Sequence, residues 1–200
     1  MLSTIIPGGI MRKFISGAVL GALTLTLAAA PVLADDMMSS SMSKDPMVGG
    51  AAMYPSKNIV QNAVNSKDHT TLVALVKKAG LVPVLEGKGP FTVFAPTNEA
   101  FAKLPKATVD AVTSNPELLK KVLTYHVVAG DYTAAKIADA SKAGGGTAEL
   151  TTVEGEKLKA SMDGDKLVLT DAKGDKSTVT IADVKQSNGV IHVIDTVLIP

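Results

Sequence analysis

Three histidines are the side chains best suited to chemistry in this cysteine-free chain of 200 residues. His69 opens an apolar-periodic stretch among polar neighbours, His126 lies in "YHVV" (Tyr125–Val128), and His192 lies in "IHVI" (Ile191–Ile194). Two imidazoles in segments of similar form can share a metal, but zinc wants a third protein ligand and no further histidine is placed to give it. An imidazole beside a carboxylate can act as a general base, and Asp195 is the carboxylate at hand. Side chains alternate along a strand, so residues three apart face opposite ways and His192 and Asp195 are expected not to touch.

Other chemistries find less support. The chain carries no G-x-S-x-G elbow, H-E-x-x-H pair, S-x-x-K set or G-x-x-x-x-G-K-[ST] phosphate loop. Asp163, Asp165, Asp171 and Asp175 lack the alternate spacing of a calcium loop and suit hairpin turns instead. Five of the eight methionines (Met37, Met38, Met42, Met47, Met53) fall within Asp35–Tyr54. Thioethers are soft ligands suited to Cu(I), yet no histidine or cysteine stands among them, so no metal is assigned there. No catalytic residue, cofactor or metal site is expected. His69 is expected at the surface, whereas the apolar flanks of His126 and His192 place both rings in the interior, hydrogen-bonded.

The elements that would hold these residues follow from periodicity. "SKNIVQNAVNS" puts Ile59, Val60, Ala63 and Val64 on one helical face, with Ser56 as the expected cap. "HTTLVALVKKAG" gives a second helix with a Leu72, Val73, Leu75, Val76 and Ala79 stripe that stops at Gly80. Phe91–Ala95 is β-rich and ends at Pro96. Thr97 then caps a short helix over Asn98–Lys103. Asn115 and Pro116 start a helix bearing Leu118, Leu119, Val122 and Leu123, after which Tyr125–Val128 is expected as a strand. A short helix around Thr133–Asp139 and a "SKAGGG" loop precede hairpins turning at Glu154-Gly155, Asp163-Gly164, Ala172–Asp175 and Asn188-Gly189. The last strand is apolar on both faces, Val190, His192, Ile194 and Leu198 on one and Ile191, Val193 and Val197 on the other, so it must be covered on both. With helices mainly in the first half and hairpins in the second, the class is α+β.

The formal charge of +1 is interspersed along the chain, which excludes the basic stripe of a nucleic-acid partner. Arg12 and Lys13, the apolar run Phe14–Leu27 and "VLA" before Asp35 compose a signal peptide over residues 1–34, with Met11 as a second candidate start. Cleavage leaves no stable membrane anchor. Residues 35–55 are expected to form a flexible Met/Ser/Gly-rich tether, and residues 56–200 the folded domain.

"GPFTVFAPTNEAF" (Gly89–Phe101), "YHVV" (Tyr125–Val128) and "NGVIHVIDTVLIP" (Asn188–Pro200) together resemble, in order and spacing, the blocks of the fasciclin domain. The resemblance implies a fasciclin-like wedge of two β-sheets with helices packed at one side. It also implies a secreted, non-enzymatic adhesion or protein/matrix-binding module of the cell surface or periplasm, with an envelope or extracellular-matrix component as partner. In animal relatives the Tyr-His element and an Asp-Ile pair are linked to integrin binding. Tyr125 and His126 match the first and are the adhesion-motif candidates, whereas Asp183-Val184 is the nearest pair to the second and is not the same. Thr97, Asn98 and His192 are expected to be structural. An alternative function is carriage of a small apolar ligand in a cleft between sheet and helices.

Overall fold

The computed structural model describes residues 45–200. The expected leader, the start at Met11 and the first part of the tether lie outside them. The tether expectation fails over the remainder. Met47–Val48 (β1) and Ala51–Ala52 (β2) pair as an antiparallel hairpin, turning at Gly49 and Gly50, both at positive φ. Val48 and Met53 are buried in the main core, so the fold begins before Ser56. Low complexity in this stretch conceals two side chains that find core space.

Helices dominate the next part. Ile59–Ala63 (α1) is followed by a 3₁₀ turn at Lys67–His69, then Thr70–Lys78 (α2) and Val82–Leu85 (α3). Asn58, not Ser56, caps α1. Its side chain accepts from Gln61 N–H at 2.8 Å while Gln61 Oε1 accepts from Asn58 N–H at 3.1 Å, a reciprocal capping box. The buried side of α1 is Ile59 and Asn62, and Val64 is exposed. In α2 the stripe is as expected, with Leu72, Leu75 and Val76 buried.

Phe91–Pro96 (β3) runs directly into Asn98–Ala102 (α4). Lys106–Ser114 (α5), a helix not read from the sequence, precedes Pro116–Tyr125 (α6), Val127–Ala129 (β4) and Ala134–Ala143 (α7). Helix α7 runs past Asp139 and takes in the start of the expected "SKAGGG" loop. The hairpin region then forms Ala148–Thr151 (β5), Lys157–Asp163 (β6), Lys166–Thr170 (β7), Lys176–Gln186 (β8) and Gly189–Ile194 (β9), turning where the Gly and Asp residues predicted.

The sheet order is β4-β3-β9-β8-β7-β6-β5. Only β3 and β9 pair in parallel; the other neighbours are antiparallel. Strand β8 serves both halves of the wedge: Lys176–Thr178 pair with β7 and Val179–Gln186 with β9, with register shifts at Ile181. Such bulges bend a strand and increase its twist. The two ends of the sheet approach each other again, through a Val128–Thr152 bridge and a Val153 N–H bond to the Val127 carbonyl at 2.7 Å.

This curl makes two cores. One lies between the helices and the outer face of β3 and β9, and includes Ile59, Leu72, Leu75, Leu119, Val122, Val93, Ile191 and Val193. The other is enclosed by the curled sheet and α7, and includes Phe94, Tyr125, Ile137, Leu150, Leu158, Leu169, Ile194 and Leu198. Strand β9 lies between them, which is why its sequence is apolar on both faces. At its start Gly189 has φ +155, and a Cβ there would overlap the Phe91 carbonyl; only glycine lets β9 approach β3 so closely.

Candidate functional site

Helix α6 delivers His126. Asn115 Oδ1 accepts from Glu117 and Leu118 N–H at 3.0 and 3.2 Å, and Pro116 takes the first helical position. The helix continues to Tyr125, with His126 as its C-terminal cap in αR conformation. The strand expected at Tyr125–Val128 therefore starts only at Val127, because the last turn is completed by the His126 N–H bond to the Leu123 carbonyl at 3.2 Å.

Both members of the Tyr-His element are buried. Neither is displayed at the surface, where an adhesion motif would meet a partner. Tyr125 donates from its hydroxyl to the Lys157 carbonyl at 3.2 Å. His126 Nδ1–H donates to the Val122 carbonyl at 2.8 Å, and Nε2 accepts from Leu198 N–H at 3.0 Å. The ring satisfies one free carbonyl at a helix end and one free N–H in the closing block. Burial lowers its pKa to about 4, against the opposing effects of the Val122 carbonyl and the Asp171 charge, so it is neutral at physiological pH.

His192 is enclosed in the second core, stacked on Phe94 with ring centres 5.6 Å apart. Its Nδ1 accepts from Asp183 N–H at 3.3 Å, which leaves Nε2–H to donate to the Tyr132 carbonyl at 2.8 Å. Burial lowers its pKa as well. Asp195 is occupied elsewhere, accepting from Thr178 N–H at 2.9 Å and from the Thr196 hydroxyl at 3.1 Å. The two do not form a pair.

Thr97 accepts from Ala100 N–H at 3.2 Å and so caps α4. Asn98 joins two helices: Oδ1 accepts from Thr71 N–H at 3.0 Å, and Nδ2 donates to the Lys67 carbonyl at 2.8 Å. His69 departs from expectation. It is only 3% exposed, because the β1–β2 hairpin covers it; Lys67 N–H donates to the Gly49 carbonyl at 3.1 Å. The histidines thus have separate partners, and no cluster of three His, Asp or Glu side chains suited to a metal occurs among the described residues.

The cleft between sheet and helices named above only with the alternative function, without residues, lies between α1, α2, α3 and the sheet. Val60, Val73, Val76, Val82, Val93 and Val127 line it, with His126 beside them. Its open volume is about 50 Å³. At the margin stand Val84 and Val153, 43% and 40% exposed, and Lys77. An apolar hollow with exposed apolar residues at its lip is suited to binding, not to proton transfer. Periodicity marks each valine as apolar, but only the packing of three short helices leaves space between them.

The comparisons now bear on this geometry. The family model of the fasciclin domain matches residues 67–200. This chain belongs to the fasciclin-domain family. The chain is 44% identical over 159 residues to Protein sll1483 of Synechocystis, covering 78% of this chain and 81% of that one. It is 34% identical over 161 residues to the cell surface glycolipoprotein MPB83 of Mycobacterium bovis, covering 80% of this chain and 63% of that one. Among solved structures, the domain pair of the insect cell adhesion molecule fasciclin I shares the fold, with a TM-score of 0.60 at 19% identity over 72% of this chain and 51% of that one. The fasciclin domain accounts for the α+β order and for the wedge hinged at β8.

Proposed function

We propose that this chain is a secreted, non-enzymatic adhesion or protein-binding module of the cell surface or periplasm, and that it seats an apolar group of its partner in the cleft beneath α1, α2 and α3. The cleft carries this proposal. Its walls are apolar and its lip exposes Val84 and Val153 to solvent, the arrangement of a central anchor pocket. About 50 Å³ is room for roughly three to five water-sized groups, which matches one projecting aliphatic side chain better than a whole lipid. The histidines support a non-enzymatic role: His126 and His192 are buried and neutral, with both ring nitrogens engaged by backbone groups. Similarity to a cell surface glycolipoprotein and the signal-peptide pattern of residues 1–34 support an extracytoplasmic location. No helix among the described residues is long and apolar enough to cross a membrane.

The same cleft also favours carriage of a small apolar ligand, and one pair of experiments separates the two. Immobilised protein is challenged with solubilised envelope proteins of its own source, alongside Val84→Asp and Val153→Asp variants. Loss of an anchor contact should weaken capture about tenfold; equal capture by all three overturns the adhesion proposal. Native mass spectrometry of protein from its own source showing a stoichiometric apolar molecule would assign the cleft to a carrier.

A further inference from the structure

One charge stands at the mouth of the apolar cleft. Among the described side chains that line it, only Lys77 and His126 are ionisable, and His126 is neutral with both ring nitrogens bonded to backbone. No carboxylate is among them. Lys77 is exposed in the last turn of α2 and enters no ion pair among the described residues. Neighbouring cations are already engaged. Lys78 donates to the Thr113 carbonyl at 2.7 Å, and Lys121, one turn before Thr124 on α6, lies 2.9 Å from Glu156 and 3.7 Å from Glu154. Those two glutamates follow Val153 at the lip, so their charge is met by Lys121 and not by Lys77. Glu86 and Lys88, beyond the end of α3, lie outside the lining. The helix dipole alone favours a lysine at a helix C-terminus; here that lysine is also the one fixed charge bordering an apolar hollow.

The apolar side is equally selective. A volume of about 50 Å³ takes the side chain of leucine or isoleucine and is too small for an aromatic ring. Val64, exposed at the C-cap of α1 and one turn beyond Val60, continues the apolar lip formed by Val84 and Val153. A peptide laid across such a lip buries one aliphatic side chain and keeps its backbone in solvent. Consecutive residues are about 3.8 Å apart, so a carboxylate borne next to the anchor comes within reach of an ammonium at the mouth. Resting on the anchor reading of the cleft, we infer that the partner segment is an exposed acidic-aliphatic peptide, with a Leu or Ile side chain in the cleft and an adjacent Asp or Glu paired to Lys77. An exposed ion pair adds little affinity, yet it fixes the direction of the bound segment and disfavours basic competitors.

The test is an NMR titration of the isotope-labelled protein with capped tetrapeptides: Gly-Leu-Glu-Gly, Gly-Leu-Gln-Gly, Gly-Ala-Glu-Gly and Gly-Phe-Glu-Gly. The first should shift the amides of Val60, Val73 and Val127. Gln in place of Glu should weaken binding about three- to fivefold at low salt, and raised salt should erase that difference. Ala in place of Leu should weaken it about tenfold or more, and Phe should bind no better than Ala. Lys77→Gln should take the Leu-Glu and Leu-Gln peptides equally, and Lys77→Glu should prefer Leu-Gln. Circular dichroism checks the fold of both variants, and the peptide comparisons on the wild-type protein need neither. Absence of shifts with every peptide, equal affinity for the Glu and Gln peptides, a Glu preference that survives Lys77→Gln, tighter binding of the Phe peptide, or shifts produced by phosphatidylglycerol vesicles and not by the peptides overturns the inference. The anchor reading is decided separately, by whether Val84→Asp and Val153→Asp lose capture of envelope protein.

Discussion

His126 accepts a hydrogen bond from Leu198 N–H at 3.0 Å, across 72 residues of sequence. Through one ring the end of α6 is tied to the last residues of the chain. The interior is shaped by such links, and the following outcomes are expected from them.

Replacing His126 by alanine removes two hydrogen bonds, leaves the Leu198 N–H and Val122 carbonyl without partners, and opens a void. Lost bonds and orphaned groups together cost about 3 kcal/mol, or a melting temperature lower by roughly 6–12 °C in a domain of this size. Differential scanning calorimetry reads it directly, and an unchanged melting curve would contradict the burial described above.

Acid should destabilise the protein before its carboxylates titrate. The folded-state pKa of His126 is about 4 against 6.5 for an unperturbed histidine, so between these values the unfolded chain binds more protons than the folded one. Stability from this group is complete above about pH 6.5 and declines as pH falls toward about 4, a loss of about 3 kcal/mol. His69 and His192 shift in the same direction by burial. Urea unfolding across this window should show the slope in wild type and a shallower one in His126→Phe.

Deleting residues 45–54 should impair folding, although composition alone marks this segment as a linker. Met53→Ala by itself should cost about 2–5 kcal/mol, as for other buried methionines. Chemical denaturation of the two variants provides the check; stability equal to wild type in both would return the hairpin to the status of a tether.

Asp183 should prove structural. It sits in the β8 bulge at φ 57, its N–H donates to His192 Nδ1, and its Oδ1 accepts from Ala134 N–H at 2.7 Å at the start of α7. Asp183→Ala loses the α7 contact and strains the backbone, for about 1–3 kcal/mol. Asp183→Asn, which tolerates left-handed φ, should recover much of this in a thermal melt; equal loss in both would remove the backbone from the explanation.

Much of the fold was legible locally. The Thr97 and Asn115 caps, the stop at Gly80 and the hairpin turns each depend on a few adjacent residues, so their chemistry is written in sequence order. The boundary at Tyr125–His126 was not, because a helix end is decided by the bonds its final carbonyls find, here inside the domain. Helix α5 was missed because its apolar residues are small and its buried face rests on one valine, Val112. Asn188 was readable as a turn residue. That its side chain accepts from Ile59 N–H at 3.1 Å and donates to the Leu85 and Gly87 carbonyls at 2.8 and 3.0 Å depends on segments 129 and 103 residues away.

The sequence by itself determined the family, the α+β order, the double-sided burial of β9 and the interior place of His192, because periodicity and capping are properties of neighbouring residues. Tertiary structure alone decided the covering of His69 by the hairpin, the burial of Tyr125 and the apolar cleft among α1, α2 and α3. Those features arise where surfaces remote in sequence meet, and the space or partner left at such a junction is set by how whole elements pack, which no local pattern encodes.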